Sequence, residues 1–347
     1  MKNNAKKTKK LLPLAVLLAA AALLGILLAV LTRSNADAVD TRIPLCSFTE
    51  EEIDRLAYSG NNTDVTLLKG STGDWMLDSD PALPLDQAKV TSLVEQYAAL
   101  AALRKLEGSD LAELPEKSAA PQMTITIGAG DKTLALTVDQ LNAVADVYYV
   151  YDESGAAYTV MRSDLATLSK SPRDLYKAQT LTDKTLSDVA AMQVNDLQFT
   201  QTDGSWTLTD DPDYPVSQSS IKKMASTILQ MQTAWTVTAP EADTAYGLDS
   251  PDVTAVLTFT DGTSLTVRFG NAVAAAADGS DGDSLCYLAS DAAPTVVYEV
   301  NADSKLAYAV TKESLYDETA TAETAASDPV AQYPVGGEDD YADSLPE

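Results

Sequence analysis

The sequence contains no histidine. This absence excludes nucleophilic sites that use histidine as their base, the common zinc sites built on imidazole ligands, and phosphotransfer through histidine. The chain also lacks both a G-x-x-x-x-G-K-[ST] loop and a G-x-G-x-x-G turn. Nothing in the sequence therefore predicts a nucleotide-binding site.

Basic residues are scarce, with 24 Lys and Arg against 51 Asp and Glu and a formal net charge of −27. Beyond Arg33 the balance is still more acidic, 18 basic residues against 51 acidic ones. Such a surface repels nucleic acid and anionic membranes. We therefore exclude nucleic-acid binding and expect an acidic, solubilising surface.

Cysteine is also rare, with only Cys46 and Cys286. An exported protein could join them in a disulfide. However, Cys286 lies in the apolar stretch 285–288, where a buried free thiol is the ordinary interpretation. Two cysteines do not make a disulfide framework, so the sequence leaves both alternatives open.

One long apolar segment lies near the N-terminus. Residues 11–31 run for 21 residues without a charge, enough at about 1.5 Å per residue to cross a hydrocarbon core of about 30 Å. The basic residues 1–10 precede it, and this asymmetry predicts a cytoplasmic N-terminus with the bulk of the chain outside. The alternatives are a signal peptide cleaved at Ala36-Asp37-Ala38 and, less favoured, a lipid anchor on Cys46, which lies far beyond the apolar run.

A motif occurs twice, 131 residues apart. The pattern W-x-L-x-x-D-P-x-x-P-[LV]-x-Q stands at 75–87 and again at 206–218 without a gap. We call it the signature. It predicts an internal duplication, with repeat 1 at 48–180 and repeat 2 at 181–317, after a stalk at 32–47 and before a disordered acidic tail at 318–347.

Each repeat shows the same order of patterns. A hairpin leads to the signature tryptophan, the prolines end the strand, and an amphipathic helix follows, with Asp86 and Ser217 as N-caps. A second hairpin turns at 128–131 in repeat 1 and at Asp261-Gly262 in repeat 2, and two further strands and a short helix complete the unit. The predicted fold class is α+β: two tandem homologous repeats of largely antiparallel sheet with one main amphipathic helix each, preceded by one transmembrane helix.

Several of these segments match a known family. The two signatures, the stretch 246–251 (Y-G-L-D-S-P), 261–263, the strands at 148–150 and 286–288, and the terminal Leu-Tyr pairs resemble the bacterial family catalogued as domain of unknown function 4340, over residues 48–317. Repeat 1 departs from its Y-G-L-D-x-P pattern, with Leu114-Pro115-Glu116-Lys117 at that place. The resemblance implies a membrane-anchored envelope protein without an assigned activity, and some members are similar to extracytoplasmic companions of ABC-type transport systems.

Reactive constellations are harder to find than structural ones. Asp80 and Asp211 repeat, but an aspartate before proline ordinarily caps or forms a turn. Trp75 and Trp206 are expected to fill the core rather than to bind a ligand. The acidic loop 278–284 lacks the EF-hand order and is expected to be a solvated hairpin loop rather than a calcium site. We therefore predict no catalytic, cofactor-binding or metal-binding residue and no cofactor.

These observations favour a non-enzymatic, membrane-anchored extracytoplasmic protein that binds a protein or an envelope polymer. Tyrosine outnumbers phenylalanine fifteen to four, which is compatible with an amphipathic binding surface. The alternatives are a carboxylate-dependent hydrolase of envelope polymers, for which two carboxylates about 5–10 Å apart would be needed, and an accessory subunit of an ABC-type envelope transport system.

The anchor is testable by fractionation. Because residues 11–31 are expected to stay in the bilayer, the full chain should sediment with membranes, resist extraction by high salt and carbonate, and dissolve in detergent. A mature protein that starts near Val39 and appears in the medium would contradict the anchor and favour the cleaved signal peptide.

Overall fold

The computed structural model describes residues 41–60, 62–274 and 284–319. Its described residues form two compact units, the first from those at 41–64 together with 92–169, and the second from 65–91 together with those at 170–319. The predicted transmembrane span, the basic N-terminus and all but the first two residues of the predicted tail lie outside the described residues. In the described ranges, no helix is both long enough and apolar enough to span a bilayer.

The described residues up to 161 form the strands β1 (Ile43–Pro44), β2 (Arg55–Gly60), β3 (Thr63–Lys69), β4 (Trp75–Leu77), β5 (Ala101–Ala102), β6 (Arg104–Leu106), β7 (Met123–Ala129), β8 (Lys132–Asn142), β9 (Val147–Asp152) and β10 (Ala157–Met161). Eight of them form the first large sheet, in the order β4-β3-β2-β7-β8-β9-β10-β6. A separate two-stranded ladder pairs β1 with β5, so residues 43 and 44 at the end of the predicted stalk lie in a strand.

The strands of the second large sheet are β11 (Val189–Val194), β12 (Leu197–Thr202), β13 (Ser205–Leu208), β14 (Thr233–Val237), β15 (Val253–Phe259), β16 (Ser264–Ala272), β17 (Leu285–Ser290) and β18 (Val297–Asn301). This sheet repeats the arrangement of the first, in the order β13-β12-β11-β15-β16-β17-β18-β14. Its ladders are antiparallel.

Helices are few. The main ones are α1 (Gln87–Ala98) and α5 (Gln218–Leu229), each of 12 residues and each directly after a signature. The short ones are α2 (Ser109–Ala112), α3 (Arg162–Ala166), α4 (Pro172–Leu175) and α6 (Asp303–Leu306), with single 3₁₀ turns at Leu186–Asp188, Asp243–Tyr246 and Glu313–Leu315. The prediction of mostly antiparallel sheet with one main helix in each repeat is thus confirmed.

The two sheets share one irregularity. The ladder between β8 and β9 slips between Val138 and Leu141, and the ladder between β16 and β17 slips between Phe269 and Ala272. These positions are again 131 residues apart. A bulge at the same point in both sheets fixes the correspondence of β8 with β16, with Val138 equivalent to Phe269.

The sequence prediction of strands was incomplete. It placed two strands before the main helix in each repeat, whereas the structure has three. It also missed the strands that follow each helix, β5 and β6 in repeat 1 and β14 in repeat 2. The missed first strand of repeat 2, β11, reads VAAMQV, and Ala, Met and Gln favour helix when taken alone. In the sheet this strand pairs with β12 on one side and β15 on the other, so tertiary pairing overrides local propensity.

Turns and caps follow their predicted chemistry. Asp203 and Gly204 join β12 to β13 with positive φ angles of 51° and 83°, as a two-residue hairpin turn of the primed type requires. The carboxylate of Asp86 accepts hydrogen bonds from the backbone N–H groups of Ala88 and Lys89 at 3.1 and 3.3 Å. The hydroxyl of Ser217 accepts from the N–H of Ser220 at 3.4 Å, which confirms both N-caps.

The main helices bury their apolar stripes as predicted. All ten predicted stripe residues are buried: Val90, Leu93, Val94, Tyr97 and Leu100 in repeat 1, and Ile221, Met224, Ile228, Leu229 and Met231 in repeat 2. In each repeat a hydrogen bond from one tyrosine hydroxyl joins the main helix to the segment that follows the last strand. Tyr97 donates to the carbonyl of Leu168 at 3.0 Å, and Tyr308, at the position equivalent to Leu168, donates to the carbonyl of Met224 at 2.9 Å. Burial raises the pKa of both phenols, so both hydroxyls remain protonated donors.

The signature tryptophans belong to the core. Trp75 is 5% exposed and Trp206 is 1% exposed, which confirms that the indoles fill space rather than face solvent. Trp206 packs in a cluster with Phe199, Leu208 and Ile221. Its indole Nε1 is buried without a hydrogen-bond partner among the described residues, an arrangement that costs about 1–3 kcal/mol.

Replacement of Trp206 should separate packing from hydrogen bonding. Trp206→Ala is expected to lower the free energy of unfolding by about 3–5 kcal/mol, because it leaves a large cavity. Trp206→Phe should cost much less, because it keeps most of the ring and removes the unpartnered N–H. Chemical denaturation of the full chain in detergent measures both variants. An alanine variant as stable as the parent would contradict the packing role.

Candidate functional site

The glutamine that ends each signature forms hydrogen bonds with the backbone of the tryptophan that begins it. The side-chain oxygen of Gln87 accepts a hydrogen bond from the backbone N–H of Trp75 at 2.7 Å, and its Nε2 donates to the carbonyl of Trp75 at 3.0 Å. In repeat 2, Gln218 makes the same two bonds to Trp206, both at 2.8 Å. We call this pair of bonds the glutamine clamp. Each Nε2 also lies within reach of the carbonyl two residues before it, in Leu85 and Val216.

The clamp closes an open sheet edge. The tryptophans lie in β4 and β13, which are the outermost strands at one end of each sheet. An edge strand exposes backbone groups that can pair with another chain. A primary amide supplies one acceptor and one donor, so the glutamine satisfies both outward backbone groups of the tryptophan. Sequence reasoning matched this glutamine but gave it no role, although the repeated W-x₁₁-Q spacing carried the signal.

The middle of the signature pairs with the terminal Leu-Tyr motif. In the second unit, the N–H of Asp86 donates to the carbonyl of Leu175 at 2.8 Å, and the N–H of Lys177 donates to the carbonyl of Pro84 at 2.9 Å. The equivalent bonds in repeat 2 join Ser217 to Leu315 at 2.8 Å and Asp317 to Pro215 at 3.0 Å. Each Leu-Tyr motif is therefore the pairing partner of a signature.

The repeated aspartates have structural partners. The main-chain carbonyls of Asp80 and Asp211 accept turn bonds from Leu83 and Tyr214, both at 3.1 Å. The carboxylate of Asp80 accepts a hydrogen bond from the hydroxyl of Thr238 at 2.6 Å, whereas that of Asp211 pairs with Lys312 at 2.8 Å. The hydrogen bond to Asp211 raises the pKa of Lys312. Both aspartates form turns, as the sequence predicted.

Tyr176, the tyrosine of the first Leu-Tyr motif, is buried at 5% exposure. Its hydroxyl lies 2.6 Å from the hydroxyl of Thr233 and 2.7 Å from that of Thr236, both on β14 of the second unit. Its ring lies 5.4 Å from the ring of Trp235. This small polar socket therefore holds the end of the first Leu-Tyr motif against β14.

An ion pair lies beside this socket. Arg173 donates two hydrogen bonds to Glu299, at 2.8 and 3.0 Å. Its guanidinium carbon lies 4.7 Å from the ring centre of Trp235. Glu299 is only 4% exposed, and a bidentate guanidinium is the partner that a buried carboxylate needs.

Tyr316, the tyrosine of the second Leu-Tyr motif, is exposed to solvent. It is 51% exposed, and its ring contacts Tyr214 edge to face at 5.8 Å. Lys312 lies 4.8 Å from the ring centre of Tyr214 while paired with Asp211. We call Tyr214, Lys312 and Tyr316 the tyrosine patch. It presents at the surface the side chain that repeat 1 buries in a socket.

The Y-G-L-D segment has a packing role. Gly247 adopts a φ of 70° where a Cβ would lie 2.4 Å from Asn271, and this turn places Leu248, which is fully buried, against Ala289 and Val297. Arg268 donates to the carbonyl of Leu248 at 2.6 Å and to the carboxylate of Asp243 at 2.9 Å. The segment therefore covers a face of the second sheet.

Repeat 1 covers the equivalent sheet face without the Y-G-L-D-x-P motif. Leu114 packs on a cluster of Leu106, Tyr151 and Ala157. Asp139, which is 3% exposed, accepts the N–H of Ser118 through both oxygens at 3.1 and 3.2 Å. Asp139 stands where repeat 2 has Gly270. In repeat 2 the backbone of Tyr246 lies close against Gly270, whereas in repeat 1 the carboxylate of Asp139 holds the covering segment by hydrogen bonds.

Three pockets in the described ranges have few acids in their walls. Their volumes are about 210, 430 and 240 Å³. Glu52 is the one carboxylate among their lining residues. No group of three or more Cys, Asp or Glu residues in the described chain is placed to hold a metal ion. Of the acidic loop 278–284, residues 278–283 lie outside the described residues.

Both cysteines are free thiols. Cys46 and Cys286 are 6% and 2% exposed, and burial raises the pKa of each. The buried thiol expected for Cys286 is confirmed. A raised pKa keeps both sulfurs protonated near neutral pH and makes them poor nucleophiles.

Comparison with known proteins finds no family model, no curated protein and no solved structure that matches this chain. The resemblance to the domain of unknown function 4340 family therefore stays a prediction.

The two repeat tyrosines form a matched pair for mutation. Tyr176→Phe removes the hydroxyl shared by two buried threonines and is expected to lower the free energy of unfolding by about 1–3 kcal/mol. Tyr316→Phe, at the equivalent exposed position, should change it by less than about 0.5 kcal/mol. Denaturant titrations of the two variants test this difference. Equal effects would show that the socket around Tyr176 contributes little.

Proposed function

We propose that this protein is a membrane-anchored, extracytoplasmic binding module without catalytic activity, and that the tyrosine patch is its docking surface for a protein partner at the cell envelope. The observation that carries the proposal is the contrast between Tyr176 and Tyr316. Equivalent side chains end two equivalent motifs, one inserted into a socket and the other exposed.

The chemistry of the socket indicates what such a tyrosine binds. Tyr176 combines an aromatic contact with hydrogen bonds to two hydroxyl groups, and tyrosine suits binding surfaces because it offers both kinds of contact on a stiff side chain. The partner that fits Tyr316 is accordingly a protein strand that presents an aromatic ring beside hydroxyl side chains, as β14 does. Acidic residues near the patch, including Asp210, Asp213 and Glu313, favour a partner with basic groups around that strand.

The duplicated residues further support binding over catalysis. Trp, Gln, Asp and Pro of the signature, and the buried leucine of each Leu-Tyr motif, all take part in core packing, edge closure or turns. A duplication that retains these groups preserves a scaffold, and the surface on it is then free to bind. The expected place of that surface, outside the cytoplasmic membrane, rests on the apolar run at 11–31 and the lysines before it.

The docking surface can be tested by site-specific photo-crosslinking in intact cells. A photoreactive phenylalanine analogue at position 316 should yield a discrete adduct, because the ring there is expected to face the partner. The matched control is position 144, where Val144 is fully exposed at a hairpin tip. Tyr316→Ser should abolish co-purification of the captured partner while leaving the melting temperature unchanged. Identical adducts from both positions, or none at 316, would contradict the proposal.

A further inference from the structure

A pocket of about 210 Å³ lies in the first unit. Met123, Val138 and Leu165 form its apolar wall, and Gln122, Tyr148 and Arg162 bring polar groups to it. The residues come from β7, β8, β9 and α3, together with the residue just before β7. The pocket is therefore built on a sheet and a helix rather than on a loop.

The polar groups around this pocket are available to a ligand. In the described part of the chain, the side chains of Gln122 and Tyr148 form no hydrogen bond, and the one ionic partner of Arg162 is Asp146 at 3.9 Å. Both members of that pair are more than half exposed, so their mutual attraction is weak. The guanidinium thus retains most of its donors for a bound anion.

Repeat 2 shows that the fold does not need this cavity. Phe269 stands at the position of Val138, is fully buried, and packs on Tyr308 with 5.4 Å between the ring centres. Lys305 stands at the position of Leu165, where it pairs with Asp252 and donates to the carbonyl of Gly270 at 3.3 Å.

These correspondences rest on shared hydrogen bonds. The N–H of Leu168 donates to the carbonyl of Leu165 as that of Tyr308 donates to Lys305. The backbone N–H of Arg162 donates to the carbonyl of Asp146, and the backbone N–H of Ala302 donates to the carbonyl of Ser284. Arg162 is therefore equivalent to Ala302. Repeat 1 therefore combines a smaller core residue with an arginine where its sister repeat has a large ring and an alanine.

The size and lining of the pocket limit the ligand. A volume of 210 Å³ corresponds to the share of about seven water molecules in the liquid, below the range of about 300–1,000 Å³ typical of drug-sized ligands. A guanidinium fork matches a carboxylate, with two parallel hydrogen bonds. The apolar wall fits one short aliphatic chain.

We propose that this pocket binds the carboxylate of a small aliphatic acid, with Arg162 holding the carboxylate and Met123, Val138 and Leu165 packing against the hydrocarbon. A free amino acid and the C-terminal residue of a peptide share this chemistry. The site is independent of the tyrosine patch, because it uses none of its residues.

Methionine-methyl NMR of the full chain in detergent tests the site directly. The Met123 resonance, assigned with Met123→Leu, should shift on addition of N-acetylleucine and should not shift with N-acetylleucinamide, which lacks the carboxylate. Free leucine is the third probe. Tighter binding of leucine than of N-acetylleucine identifies a free amino acid as the source, and the reverse order identifies a peptide C-terminus.

Two variants take their residues from repeat 2. Arg162→Ala should weaken N-acetylleucine binding at least tenfold, because it removes the carboxylate partner. Val138→Phe should abolish binding by filling the pocket. Arg104→Ala is the matched control, since it removes an equally exposed arginine of the same unit, paired with Asp110, and should leave binding unchanged.

Melting curves show whether each variant is folded. If Val138→Phe does not fold, Arg162→Ala alone tests the proposal. The proposal fails if the Met123 methyl does not respond to either acid, if the amide binds as well as the acid, or if Arg104→Ala weakens binding as much as Arg162→Ala.

Discussion

The glutamine clamp is the interaction on which the repeat depends. A tryptophan at a sheet edge has an indole that belongs in the core and backbone groups that face outward. The amide of Gln87 or Gln218 satisfies those outward groups and thereby holds the first turn of the main helix against the edge strand. Edge closure, core filling and helix placement are therefore coupled, because one side chain links the strand to the start of the helix.

Duplication lets one copy serve as a reference for the other. Where both copies keep a residue with the same contacts, as in the glutamine clamp, those contacts concern the fold. Where they differ, the difference marks a surface or cavity that the fold does not require. Tyr176 and Tyr316 are the same residue type but differ in burial and in contacts, whereas Val138 and Phe269 differ in volume. These contrasts point to two separate regions, one suited to a protein and one to a small acid.

Much of the fold was predictable from local patterns. Period-two alternation, the turn dipeptide Asp203-Gly204 and the helical stripes of α1 and α5 each depend on neighbouring residues, so sequence reasoning located them. It failed at β11, whose composition favours helix, and at the strands after each helix. Their state is decided by partners far along the chain.

The sequence by itself determined the duplication, the antiparallel α+β class, the burial of Trp75 and Trp206, and the caps at Asp86 and Ser217, because each follows from backbone geometry or side-chain polarity over a few residues. Only the tertiary structure decided that Gln87 and Gln218 close sheet edges, that Tyr176 is enclosed while Tyr316 is open, and that Arg162 borders a cavity. Each of those depends on the register of strands from distant segments, because a slip of one residue in a strand would turn the strand's opposite face toward the helix or loop that packs on it.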